Sequence, residues 1–140
     1  MSIETNKALV REHYQSFFEN DAAAIQRQIS PEFVDHDAPP ALGQGPESVL
    51  KWRAMVDRSF PDLRVVLDDV VAEGDRVAVR ATWHGTHRGE FMGIPATQRA
   101  VKFSGMVIFR VAGGQIVERW ATLDRLELTK QLQGVASAAG

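Results

Sequence analysis

Asp124 closes a run in which Glu118, Trp120, Thr122 and Asp124 alternate, so an unbroken strand puts all four on one face. A carboxylate beside a tryptophan has two uses. Inside an apolar enclosure its pKa climbs from the free value of about 3.9, and it becomes a base able to remove a proton next to a carbonyl. At a wet rim it pairs with Arg125 or Lys130, or caps the helix that follows. His36, in Asp35-His36-Asp37-Ala38-Pro39, offers a hydrogen bond to a developing enolate oxygen or a brace for Asp124. Its flanking acids favour the protonated ring, and a bond to backbone makes it a plain loop histidine. Tyr14, the single tyrosine, is either an oxyanion donor or an amphipathic core residue with its hydroxyl at the edge.

Other side chains supply walls rather than chemistry. Trp52, Trp83 and Trp120 suit a flat polycyclic ligand and equally suit any small core; Met55, Met92 and Met106 are soft wall candidates. The segment from Gly85 to Pro95 carries three glycines with Phe91 and Met92, which fits a flap over a cavity mouth or a long hairpin connection. His87 lies between Gly85 and Gly89, where a sharp bend makes it structural or places it at a cavity rim. His84 is read as solvent-facing beside Arg80, and His13 as a hydrogen-bonded core histidine. No metal is expected. Asp35, His36 and Asp37 in extended chain point alternately to opposite faces, as do His84 and His87.

The pattern along the chain changes character once, from helical to extended. Leu9, His13 and Phe17, with Val10, Tyr14 and Phe18 beside them, make the apolar stripe of a helix from about Glu4 to Glu19. Asn20-Asp21 caps a second helix over Ala22 to Ile29, and Phe33 to Asp37 is a short extended piece. Gly45-Pro46-Glu47 starts a third helix, which Phe60-Pro61 ends. From Leu63 the period becomes two, with turn signals at Glu73-Gly74-Asp75 and Gly113-Gly114. Four antiparallel strands follow, then a short helix over Leu126 to Gln133. Helices gathered on one side of a curved antiparallel sheet predict an α+β domain enclosing a cavity, over residues 1–134, with residues 135–140 as a tail.

Composition narrows the classes. The chain has 140 residues and 44% hydrophobic residues, enough for one domain with a core that needs no staple. Sixteen Lys and Arg against 18 Asp and Glu give a net charge of −2, which argues against a nucleic-acid binder. The absence of cysteine removes disulfides, thiolate zinc sites and cysteine nucleophiles. The N-terminus lacks a signal-peptide pattern and no apolar run is long enough for a bilayer span, so a cytoplasmic location and no membrane partner are expected. No phosphate loop, Ser-centred elbow, HExxH or dinucleotide fingerprint is present.

Several phrases resemble the SnoaL-like polyketide cyclases (ester cyclases) of the NTF2-like superfamily. They are Phe33-Val34-Asp35-His36, Phe60-Pro61-Asp62, Glu73-Gly74-Asp75-Arg76-Val77, and Gly85-Thr86-His87 running into Gly89-Glu90-Phe91-Met92-Gly93-Ile94-Pro95. Gly114-Gln115-Ile116-Val117-Glu118, Trp120, Asp124 and Gln131-Leu132-Gln133-Gly134 complete the match. The resemblance implies an NTF2-like cone-shaped barrel, usually dimeric, with a cavity between sheet and helices. It also implies catalysis without metal or organic cofactor, in which an aspartate removes a proton beside a carbonyl and the enolate closes a ring by aldol addition. The position just past Trp120 makes Asp124 the matching aspartate.

The reading that follows is a cofactor-independent acid/base catalyst acting on a small or polycyclic apolar carbonyl compound. Asp124 and His36 are the expected catalytic residues. Tyr14, Trp52, Trp83, His87, Phe91, Met106 and Trp120 are expected around the ligand. Two alternatives stay open: a binding module with the same cavity and no turnover, and hydrolysis such as epoxide opening by a water held between carboxylates. Hydrolysis needs a second polar partner such as Arg119 or Asp35. A homodimer through the sheet is expected, because Met106 and Ile108 alternate with Val107 and Phe109 and leave an apolar outer face to cover.

Overall fold

A computed structural model describes residues 2–134; the expected tail at 135–140 lies outside them. Helix α1 spans Ile3–Phe18, with the Ser2 hydroxyl accepting the Thr5 N–H at its start. Helix α2, Ala22–Gln28, is capped by the Asp21 carboxylate, which accepts the Ala24 N–H. Strand β1, Ile29–Asp35, leads through a 3-10 turn at Pro40–Leu42 to helix α3, Pro46–Ser59. Strands β2 (Arg64–Glu73), β3 (Arg76–Thr86), β4 (Ala100–Ala112) and β5 (Gln115–Leu123) then form a meander. Helix α4, Arg125–Gln133, closes the described chain, and Gly134 ends it in the left-handed conformation.

Among the described residues the architecture is α+β: four α-helices on a five-stranded mixed sheet in the order β1-β5-β4-β3-β2, curved but not closed. The sequence pattern predicts four strands. The fifth, β1, comes from residues read partly as helix end and partly as a short extended piece. It pairs parallel with β5, some 80 residues later, a partnership no local pattern displays.

Alternation decides the two faces. Val77, Val79, Ala81 and Trp83 of β3 and Val101, Phe103, Val107, Phe109 and Val111 of β4 are buried on the face that the helices cover. One irregularity resets that alternation on β5. Val111 pairs with Ile116, but Arg110 pairs with Glu118, so Val117 is an extra residue bulged out of the ladder. Before the bulge Ile116 points into the core; after it the inward positions are Arg119, Ala121 and Leu123.

Candidate active site

The concave face of the sheet and the helices enclose a cavity of about 610 Å³, within the range of small-molecule sites. Its walls are mostly apolar. Trp83 and Phe103 stack at 5.6 Å between centroids on one side. Phe17, Phe33, Trp52 and Phe109 supply other walls. Phe91 and Met92 come from a tight two-residue turn in which Phe91 and Ile94 exchange backbone hydrogen bonds. Met92 and Gly93 hold positive φ there, and Met92 remains 54% exposed at the mouth.

Four polar groups stand out on this lining. Asp35 on β1 and Arg119 on β5 are register partners, and the Arg119 guanidinium donates to Asp35 Oδ2 at 2.9 Å. The pair is well buried, the carboxylate side chain 11% and the guanidinium side chain 18% exposed. Tyr14 from α1 also lines the cavity, and its buried hydroxyl has no hydrogen-bond partner among the described residues. Burial pushes its pKa up to about 12; Arg119 lowers it and Asp35 raises it. The phenol therefore keeps its proton and stays a donor. Beside it, His13 is buried on the same lining, with Nδ1 3.3 Å from Gln28 Oε1. Desolvation brings its pKa down to about 4 against the raising effect of the Gln28 bond, with Arg119 lowering it further. The ring is neutral at pH 7.

The expected site residues divide. Tyr14, Trp52, Trp83 and Phe91 line the cavity. Trp120, Met106 and His36 do not, and all three lie on the convex face. His36 stacks on Trp120 at 5.0 Å and 9°, with His36 Nε2 2.8 Å from Glu118 Oε2. Arg76 covers the Trp120 ring, and Met106 is 63% exposed. The bulge at Val117 is the cause: it turns Glu118, Trp120 and Thr122 outward, the opposite of the face on which Ile116 sits.

Asp124 requires the same correction. It follows β5 as the N-cap of α4, exposed, with Oδ1 accepting the Glu127 N–H at 3.0 Å. That is the capping role open to it in the sequence, not an enclosed carboxylate. His87 is fully buried yet absent from the lining; its Nδ1 accepts the Thr97 N–H, and Phe60 packs on its ring. It ties down the connection between β3 and β4 behind the cavity wall.

Alternation places Asp35 and Asp37 on the cavity side of His36, but nothing local marks them for the lining. Asp37 accepts the Ala121 N–H at 2.7 Å. Arg119 was legible only as a possible partner, because its direction depends on the bulge. Among the described residues no group of three His, Asp or Glu side chains is placed to hold a metal ion.

The comparisons with known proteins fall in line with this geometry. The family model for SnoaL-like polyketide cyclase matches residues 8–132. The chain belongs to the SnoaL-like polyketide cyclase family. Among solved structures, TsrD from Streptomyces laurentii is 27% identical with a TM-score of 0.86, covering 96% of this chain and 99% of that one. IdmH from Streptomyces antibioticus, which carries a polyketide cyclase assignment, is 30% identical, with a TM-score of 0.79 over 91% and 98% of the two chains. AclR from Streptomyces galilaeus, which carries a hydroxylase assignment, is 29% identical, with a TM-score of 0.79 over 96% and 100%. No curated protein sequence matches the chain significantly. The family membership supports a cyclase-like role on the SnoaL-like fold, and no helix among the described residues is long and apolar enough to cross a membrane.

Proposed function

We propose that this SnoaL-like protein is a cofactor-independent acid/base catalyst that enolises a small or polycyclic apolar carbonyl compound, for aldol ring closure or proton-transfer isomerisation. The observation that carries this reading is the Tyr14 hydroxyl, a buried donor without a partner among the described residues, in the wall of an apolar cavity. Such an orphan costs about 1–3 kcal/mol unless something fills it. A carbonyl oxygen fills it, and the bond strengthens as that oxygen becomes an enolate. Arg119 adds positive charge nearby, partly neutralised by Asp35. The aromatic walls, Trp83 stacked on Phe103 and Trp52 from α3, match flat apolar ligands.

The enolisation reading assigns catalysis differently from the motif alone. Asp124 and His36 stand outside the cavity, so the polar work falls to residues on its lining. A flat probe ketone tests it. With 2-tetralone in D2O, proton NMR should show exchange of the protons beside the carbonyl above the buffer rate, and Tyr14→Phe should slow it about 100-fold. Binding of the probe without exchange would make the protein a binding module instead.

Hydrolysis is the second reading, and the Asp35–Arg119 pair with Asp37 nearby on the lining favours it. Opening of styrene oxide to its diol by the protein, lost in Asp35→Asn, would put hydrolysis first. We further propose that two copies pair through the convex face, where Val66, Val71, Met106 and Ile108 are exposed.

A further inference from the structure

The three carboxylates on the cavity lining are already engaged. Asp35 is held by Arg119 at 2.9 Å, Asp37 accepts the Ala121 N–H at 2.7 Å, and Glu90, exposed at the mouth, accepts the Gly93 N–H at 3.1 Å. If a substrate loses a proton in this cavity, another acceptor is the better placed, and a hydrogen-bond chain beneath α1 identifies it.

The chain has a fixed direction. Ser16 Oγ lies 2.8 Å from the Glu12 carbonyl, which can only accept, so the hydroxyl proton goes there. The Ser16 oxygen is then an acceptor, and the Gln28 amide nitrogen donates to it at 3.0 Å. That fixes the Gln28 amide with Oε1 toward His13 Nδ1, 3.3 Å away. An amide oxygen cannot donate, so Nδ1 must carry the hydrogen. A neutral ring with its proton on Nδ1 leaves the lone pair on Nε2.

We infer that Gln28, oriented by Ser16, locks His13 in the Nδ1–H tautomer, so that Nε2 is the proton acceptor the cavity offers its ligand. This rests on the enolisation reading and deepens it by naming the group that takes the proton. The ligand must then present two features together, an oxygen that accepts from Tyr14 and an acidified C–H, or an enolic O–H, that donates to His13. A 1,3-dicarbonyl compound, in its keto or enol form, has both. In the transfer the C–H bond breaks and the proton forms an Nε2–H bond. The C–H electron pair moves into the new C=C bond, and the carbonyl π pair moves onto oxygen as enolate under Tyr14. The imidazolium returns the proton to carbon or to the oxygen of the ring-closed product. A pKa brought down to about 4 keeps the ring in its accepting form at neutral pH, and an aspartate base of similar strength, about 4.6, serves the ketosteroid isomerase reaction. Gln28 is a positioning residue, acting only through His13.

Imidazole nitrogen NMR reads the tautomer directly. In the 15N-labelled protein at pH 7, His13, assigned by its loss in His13→Gln, should show a protonated Nδ1 and a bare Nε2. Gln28→Leu should release the ring to a mixture or to the Nε2–H form, and Gln28→Glu, which keeps an acceptor against Nδ1, should restore the lock. An Nε2–H ring in the unaltered protein, or a tautomer unmoved by Gln28→Leu, overturns the inference. With 2-tetralone, His13→Gln should cut exchange about 100-fold, Gln28→Leu less, and Gln28→Glu least. Exchange undiminished in His13→Gln overturns the acceptor role while the carbonyl reading stands. The stated tautomer with no exchange even in the unaltered protein sinks the carbonyl reading, and with it proton transfer through His13.

Discussion

Asp35 and Arg119 face each other across the parallel β1–β5 ladder, 2.9 Å apart on the wall of the cavity. They come from positions 84 residues apart, and the pair depends on two separate events. The chain after α2 must add to the open edge of β5, and β5 must bulge at Val117 so that Arg119 points inward. Removing one partner leaves the other charged and poorly solvated. Arg119→Met or Asp35→Asn should each lower stability by about 1–3 kcal/mol, less than for a sealed pair because the cavity is open. The double variant should recover part of that loss, and urea unfolding of all four proteins measures it.

Tyr14→Phe should separate stability from function. The hydroxyl makes no hydrogen bond among the described residues, so deleting it removes an unpaired buried group and should leave the unfolding free energy unchanged or raised by about 1 kcal/mol. Ligand-dependent activity should fall at the same time. A clear loss of stability in urea unfolding would show that the hydroxyl has a partner inside the fold.

Asp124→Ala should behave as the loss of a helix cap. Its carboxylate accepts the Glu127 N–H at the start of α4, so a cost of about 1 kcal/mol is expected. Asp124→Asn, which still caps, should cost less. Neither should alter binding of a ligand in the cavity, measured by calorimetry or tryptophan fluorescence.

His13 predicts an acid-sensitive fold. Its pKa falls from 6.5 in the unfolded chain to about 4 in the folded one, chiefly through burial. Between those values the unfolded chain binds the proton more readily, so stability is complete above pH 6.5 and drains away as pH falls toward 4. The slope approaches about 1.4 kcal/mol per pH unit at most. Urea unfolding at pH 7.5 and pH 5 should show this loss in the unaltered protein and a smaller one in His13→Gln.

Self-association through the convex face predicts a dimer in sedimentation at micromolar concentration. Met106, 63% exposed in the single chain, lies near the middle of that face. Met106→Glu should shift the equilibrium to monomer without unfolding the protein, since the side chain leaves the core untouched.

The residue pattern alone carried the helices to within a residue or two, the two-residue period of the meander, and the identities of the inward walls on β3 and β4. Those features are local: a helical stripe or an alternating strand reports its own buried face. The same pattern, followed through β5 as an unbroken strand, puts Trp120 and Asp124 inside and Arg119 outside. The tertiary structure reverses this with one bulged residue, because a period of two flips every later side chain when a single residue is added. Nor could the pattern reveal β1 beside β5, a pairing made across the length of the chain. The fold was therefore legible from hydrophobic period and turn chemistry. Which polar side chains meet in the cavity was decided by a register shift and a long-range strand pairing, which bring Asp35 to Arg119 beneath Tyr14 and His13.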